Sequence, residues 1–283
     1  MPFNVPIEQA QREYQEYTFI TPLTPSEQKA AFHVRDEQGQ DLCLKIISPD
    51  YDIDRLDREI EALQSISHPN VVRLIEYTRS SKPGQQKHYI VEEFVDGVDL
   101  GDKLQTAQQW TTLEAAMFFT ALFDGLTALK SLNIVHRDLK PSNVRVRTDG
   151  SPVIIDFGLA RLLDHSDLTR TSEGAAIGTR KYFSPEQCVG TKYDIDHRTD
   201  LFAAGILLYQ ALTGSHPFWQ ADMPVDQFQD VICHSNACLE RPEFISLPNS
   251  WRIIVGRLLS KERAMRPHNA AQVAQILRRI EEI

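Results

Sequence analysis

Glycine is missing from the first 38 residues of this 283-residue chain, and Gly39 is the first of only 13. The stretch "FITPLTPSEQKAAFHVRDEQGQDLCLKII" (19–47) therefore has no run of glycines that would let backbone N–H groups close in on a phosphate. Cysteine is also sparse. Cys43, Cys188, Cys233 and Cys238 stand in unlike contexts with no zinc or redox spacing, which excludes a disulfide scaffold and predicts reduced thiols in a cytoplasmic protein. A net charge of −9 argues against a nucleic-acid-backbone binder or a protein of the anionic membrane surface. No apolar run is expected to reach the ~20 residues that span a bilayer, and the N-terminus lacks the apolar segment of a signal peptide. Internal repeats and low-complexity segments are absent as well.

What is present changes character along the chain. Up to Glu93 the pattern is of short β-type runs around one helix. "LCLKII" places Leu42, Leu44 and Ile46 on one face and Cys43 and Lys45 on the other, "YIVEEF" is a second strand, and "DIDRLDREIEALQSI" carries Leu56, Ile60 and Leu63 at helical spacing. From Leu100 helices dominate. Thr111 and Glu114 predict a capping box for a long helix, "DLFAAGILLYQALTG" reads as a buried helix closed by Gly214, and "AAQVAQILRRIEEI" as an amphipathic terminal helix. The expected organisation is an N-terminal extension over 1–16, a small β-rich lobe over 17–95 and a larger helical lobe over 96–283, an α+β chain whose inter-lobe cleft is a natural ligand site.

The chemistry concentrates in "IVHRDLKPSNVRV", which holds His136, Arg137, Asp138, Lys140 and Asn143, and in "IIDFGLA", which holds Asp156. A carboxylate followed five residues later by an amide, with a second carboxylate downstream, suits one task. The first carboxylate takes the proton of a substrate hydroxyl while the amide oxygen and the other carboxylate hold magnesium against phosphates. "GTRKYFSPE" and then Asp200 follow in order. With these motifs and gaps the chain resembles the eukaryotic-type protein kinase family over roughly residues 17–280. It is similar to the serine/threonine branch, because Lys140 stands two residues after Asp138 and Thr179 follows Gly178.

The resemblance implies a bilobal kinase-like fold that uses ATP and Mg2+. It makes Asp138 the catalytic base and Lys140 the group that steadies the transferring phosphoryl. Asn143 and Asp156 become the magnesium ligands, and Lys45 the strand lysine that grips the α- and β-phosphates. Glu93 and Val95 of the hinge and Arg145 beneath the adenine complete the nucleotide site. A helix carboxylate is needed to hold Lys45, and Asp57, Glu59 and Glu61 compete. Glu59 lies about 60° from the centre of the apolar stripe, against about 90° and 130° for the other two, and the family motif selects Glu59 as well. His136 and Phe157 would align the lobes, Asp200 would anchor the catalytic loop, and Glu186 would pair with Arg266. Arg137 beside Asp138 points to control by phosphorylation, with Ser166, Thr169, Thr171 and Ser172 as candidate sites.

The nucleotide half departs from the pattern. The three glycine positions fall on Thr24, Ser26 and Lys29, and Pro25 has no N–H to donate, although the N–H groups of Ser26 to Lys29 and the Lys29 ammonium are expected to be able to reach phosphate. Glu92 takes an ordinarily apolar position before the hinge, Arg145 replaces an apolar floor, and Cys43 an alanine. Glu92 and Arg145 are expected to pair with each other, or else Arg145 to turn outward or stack on the base.

The reading that follows is a serine/threonine protein kinase. Its partners would be a protein substrate and a regulatory protein acting in trans, with no nucleic acid and no membrane. Two rivals remain: a pseudokinase-like scaffold, against which the intact Lys45, Glu59, Asp138, Asn143 and Asp156 weigh, and a small-molecule phosphotransferase, against which "GTRKYFSPE" weighs.

Overall fold

Alternating side chains in the first third of the chain build an antiparallel sheet in the computed structural model, which describes residues 2–26, 29–49, 60, 63–79, 88–106, 109–156, 180–190, 195–221 and 223–281. The strands are β1 (Thr18–Pro22), β2 (Lys29–Arg35), β3 (Asp41–Ile47), β4 (Leu74–Arg79) and β5 (His88–Glu93), in the spatial order β1-β2-β3-β5-β4. The chain divides into two compact units, Met1–Val95 and Asp96–Ile283, and together they make an α+β protein.

In the first unit both faces of β3 are covered. Leu42, Leu44 and Ile46 join Ala30, Phe32, Val34, Tyr89 and Val91 in one apolar cluster. That cluster is sealed by the N-terminal residues: Ala10 and Tyr14 are fully buried in it, and Phe3, Val5 and Ile7 pack against it. Ala10 and Tyr14 of the N-terminal extension are thus part of this unit's core. The helix Ile7–Glu13 turns Ala10 inward, and Tyr14 meets Tyr89 edge to face at 5.2 Å, a contact worth about 0.5–1.5 kcal/mol beyond its burial. Ile60 and Leu63, from the expected helix, are buried too.

The second unit is built on the helix Thr112–Ser131. Its N-terminus carries the expected capping box, with Glu114 N–H donating to Thr111 Oγ1 (3.2 Å) and Thr111 N–H to Glu114 Oε2 (2.8 Å). These bonds hold the Glu114 carboxyl below its ordinary value. By length and apolar composition this helix would suffice to cross a membrane, contrary to the expectation that no such run exists. One face of it, with Phe119, Leu122 and Phe123, is buried in the unit, where the helix Ala270–Glu281 lies along it, while Leu113 and Met117 are exposed. The helix Arg198–Thr213 is buried nearly all round and ends at Gly214, whose left-handed φ of 71° lets its N–H reach Gln210 O at 2.8 Å. A three-stranded sheet, β6 (Val98–Asp99), β7 (Val144–Val146) and β8 (Pro152–Ile154), frames the loop after the long helix.

Candidate active site

The loop 136–143 is held from below by one buried carboxylate. Asp200, in the first turn of the buried helix, accepts the backbone N–H of His136 at Oδ2 and of Arg137 at Oδ1, each at 2.8 Å. Burial pushes the Asp200 carboxyl up from its ordinary value, opposed by the two backbone N–H bonds. Arg137 takes a left-handed φ of 63°, and Gln187 Nε2 donates to its carbonyl at 2.8 Å. His136 is buried, with Nε2 3.2 Å from Ile155 O, and its Nδ1 accepts from Asp138 N–H at 3.3 Å. The backbone on both sides of Asp138 is therefore determined.

Three polar side chains converge on this frame. Lys140 Nζ donates to Asp138 Oδ2 at 2.9 Å, and Asn143 Nδ2 donates to Asp138 O at 2.8 Å and to Oδ2 at 3.2 Å. With its amide nitrogen committed to Asp138, Asn143 presents Oδ1 as a hard oxygen donor. Ile155 N–H donates to Asn143 O at 2.9 Å, which ties Asn143 to the residue before Asp156. Asp156 itself has a left-handed φ of 55°. A carboxylate, an ammonium and an amide are so placed around one point, with a second carboxylate carried in by β8. Among the described residues no group of three or more His, Cys, Asp or Glu side chains makes a self-sufficient metal site. An amide oxygen and one carboxylate suit magnesium shared with phosphate oxygens rather than a metal held by protein alone.

A buttress lies behind the loop. Glu186 receives Arg266 through both guanidinium ends, Nη1 to Oε1 at 2.7 Å and Nη2 to Oε2 at 2.8 Å, and Thr199 Oγ1 donates to Oε1 at 2.7 Å. This is the pairing the sequence predicted. Burial acts to raise the Glu186 carboxyl, but the bonds and charge of Arg266 outweigh it and the net shift is downward.

In the N-terminal unit the nucleotide-facing expectations require correction. Lys45 Nζ lies 2.7 Å from Glu92 Oε2, with both side chains almost wholly buried. Glu92 had been expected to pair with Arg145, or else Arg145 to turn outward or stack on the base. Glu59, expected to hold the lysine, lies with Asp57 and Glu61 outside the described residues. Arg145 turns to its own unit: Nη1 donates to Asp99 Oδ1 at 2.8 Å and Nη2 donates to Gly97 O. The reason is register. Asp99 pairs with Arg145 across β6 and β7, so an acceptor stands beside the guanidinium. Glu93 N–H donates to Arg73 O at 3.0 Å and its Oε1 accepts from Arg73 N–H at 3.2 Å, while Val95 is buried.

The segment standing at the glycine positions is closed on itself. Leu23 N–H donates to Ala31 O at 2.8 Å, Ser26 N–H to Lys29 O at 2.9 Å, and Lys29 N–H to Ser26 Oγ at 3.1 Å. Lys29 is buried, and Phe3 N–H donates to Ser26 O at 2.9 Å. The N–H groups of Ser26 and Lys29 thus serve the turn, while those of Glu27 and Gln28, also expected to be able to reach phosphate, lie outside the described residues. Phe157 and the candidate phosphorylation sites Ser166, Thr169, Thr171 and Ser172 lie outside the described residues. Sequence reasoning missed two partners, Glu92 for Lys45 and Asp99 for Arg145. The first was available in principle from strand alternation, since Lys45 and Glu92 each point away from the apolar cluster.

Comparison with known proteins agrees with this arrangement. The family model described as "Protein kinase domain" matches residues 29–277. A probable serine/threonine-protein kinase PknB of Bifidobacterium longum is 31% identical over 244 residues, 83% of this chain and 35% of that protein. The serine/threonine-protein kinase pkn2 of Myxococcus xanthus is 32% identical over 253 residues, 84% of this chain and 29% of that protein. The serine/threonine-protein kinase PknB of Mycobacterium tuberculosis is 33% identical over 191 residues, 66% of this chain and 30% of that protein. The chain spans about a third of the length of these curated relatives. With most of the chain matched by one model, from the first residue of β2 to the terminal helix, this chain belongs to the protein kinase domain family.

Proposed function

We propose that this chain is a serine/threonine protein kinase domain that transfers the γ-phosphoryl group of ATP, with magnesium, to a hydroxyl of a protein substrate. The observation that carries the reading is the Asp138 carboxylate, held by Lys140 and Asn143 on a loop whose backbone is clamped by Asp200. Asp138 orients the acceptor hydroxyl and takes its proton as the bond to phosphorus forms. The Lys140 ammonium, already bonded to that carboxylate, lies where it offsets charge on the transferring group. Asn143 Oδ1 and the Asp156 carboxylate would hold magnesium, which when bound neutralises charge building on the β- and γ-phosphates. Lys45 grips the α- and β-phosphates. The relatives' printed names, all of serine/threonine-protein kinases, support a protein hydroxyl as acceptor.

The closed turn at Ser26–Lys29 makes the phosphate clamp weaker than a glycine-rich loop, so Lys45 and magnesium carry more of the recognition. Regulation through added phosphate near Arg137 belongs to the same proposal. The test is transfer from labelled ATP with magnesium to a general protein acceptor. Asp138→Asn is expected to abolish labelling while nucleotide binding persists. Equal labelling by wild type and variant would refute the reading.

A further inference from the structure

Buried lysines and glutamates need a reason, and in this chain two of them answer each other. Only 9% of the Lys45 side chain and 6% of the Glu92 side chain remain exposed, and 2.7 Å separates Nζ from Oε2. The sheet imposes the contact. Cys43 stands opposite Glu92 and Lys45 opposite Ile90, so Lys45 and Glu92 leave the same face as diagonal neighbours, a separation that two long side chains span. β3 is the central strand, bonded to β2 on one side and β5 on the other. Beyond Glu92, Glu93 is bonded to Arg73 through both its backbone N–H and its carboxylate. A carboxylate mounted in this way keeps its distance from Lys45 for as long as the sheet exists. One mounted on a helix keeps it only while that helix is docked.

We infer that Glu92 is a positioning residue for Lys45. The strand carboxylate sets the ammonium where it meets nucleotide phosphates. The inference rests on the phosphotransfer reading above and extends it by giving the lysine a second carboxylate at a position ordinarily apolar. It also makes the alignment of Lys45 constitutive, a property of the sheet. A neutral glutamine at 92 fills the same volume, so packing alone would tolerate it, whereas positioning by charge would not.

Two measurements decide the matter. In the ATP transfer assay, Glu92→Gln is expected to raise KM for ATP about tenfold with a smaller fall in kcat. Glu92→Asp keeps the charge and is expected to recover most of the loss. A KM for ATP in Glu92→Gln within about threefold of wild type overturns the inference. The second measurement needs no activity, so it stands apart from the kinase reading. Lys45 is acylated by a small amine-reactive ester and the peptide is quantified by mass spectrometry. Release from the carboxylate is expected to speed labelling at least about threefold in Glu92→Gln. Equal labelling in wild type and Glu92→Gln overturns the inference. Melting curves show which variants fold; where Glu92→Gln does not, Glu92→Asp is labelled instead and is expected to fall above wild type, a rate equal to wild type again counting against. Absence of transfer by the wild-type chain would refute the kinase reading, and the labelling would still decide the role of Glu92.

Discussion

Replacing Arg266 by methionine tests the buttress behind the catalytic loop. The guanidinium is wholly buried and uses all five of its N–H groups: two bonds go to Glu186, and the carbonyls of Ser260 (2.9 Å), Arg198 (3.1 Å) and Lys261 (3.2 Å) take the rest. Its plane lies 4.8 Å from the Phe202 ring. Methionine keeps much of the stem's packing and removes every donor. Glu186 is then left nearly buried, with Thr199 as its remaining hydrogen-bond donor among the side chains described above. Stranding one partner of a buried pair costs about 3–5 kcal/mol. Glu186→Gln is milder, about 1.5–3 kcal/mol, because Arg266 retains its three carbonyls. The double variant is expected to cost less than the sum. All three tryptophans, Trp110, Trp219 and Trp251, lie in the C-terminal unit, so their fluorescence during urea denaturation reports on the unit that holds the pair. The sign with pH follows from the depressed Glu186 carboxyl. The pair's contribution is complete above the ordinary glutamate value of about 4.3 and is lost as pH falls through the lower, folded-state value. The gap between wild type and Glu186→Gln therefore closes on acidification below about pH 4.3. Additivity within about 0.5 kcal/mol, or a gap unchanged into strong acid, would refute this account.

Asp200→Asn sets an amide N–H against one of the two backbone N–H groups that now meet a carboxylate; a stability loss of about 2–3 kcal/mol by urea titration and slower phosphoryl transfer are expected. Arg145 and Asp99 are expected to couple in a double-mutant cycle on stability, but by no more than about 0.5–1 kcal/mol, since 24% and 40% of their side chains are exposed to screening water. Arg145 and Glu92 are expected to be additive in the same cycle, and a coupling as large as that of Arg145 with Asp99 would contradict the pairing seen here. Tyr14→Ala should cost about 3–5 kcal/mol, a core-sized loss, because the ring is buried against Tyr89; a near-neutral melting curve would show that residues 1–16 are dispensable to the sheet.

Much of this architecture is local and so was legible in the chain. The capping box of Thr111 and Glu114 closes within one turn, Gly214 ends its helix with its own left-handed backbone, and Asp138, Lys140 and Asn143 lie close enough in sequence that their spacing implies their contact. Asp200 and Glu186 were anticipated from the order and gaps of the motifs, which stand in for a fold shared with other kinases. Pairings across a sheet are of another kind. Whether Lys45 meets Glu92, and whether Arg145 meets Asp99, depends on the register of strands joined through distant segments. A slip of one residue would send either partner to the opposite face. The burial of Ala10 and Tyr14 was illegible for a related reason, since both look like ordinary helix residues until a sheet offers them an apolar face. Alternation and helical spacing determined the change from β-rich to helical along the chain, and the resemblance of its motifs to those of protein kinases pointed to the family and the catalytic loop. Only the tertiary structure decided which carboxylates Lys45 and Arg145 meet, because a charge on a strand takes the partner that strand register brings within hydrogen-bond reach, and register is a property of the whole sheet.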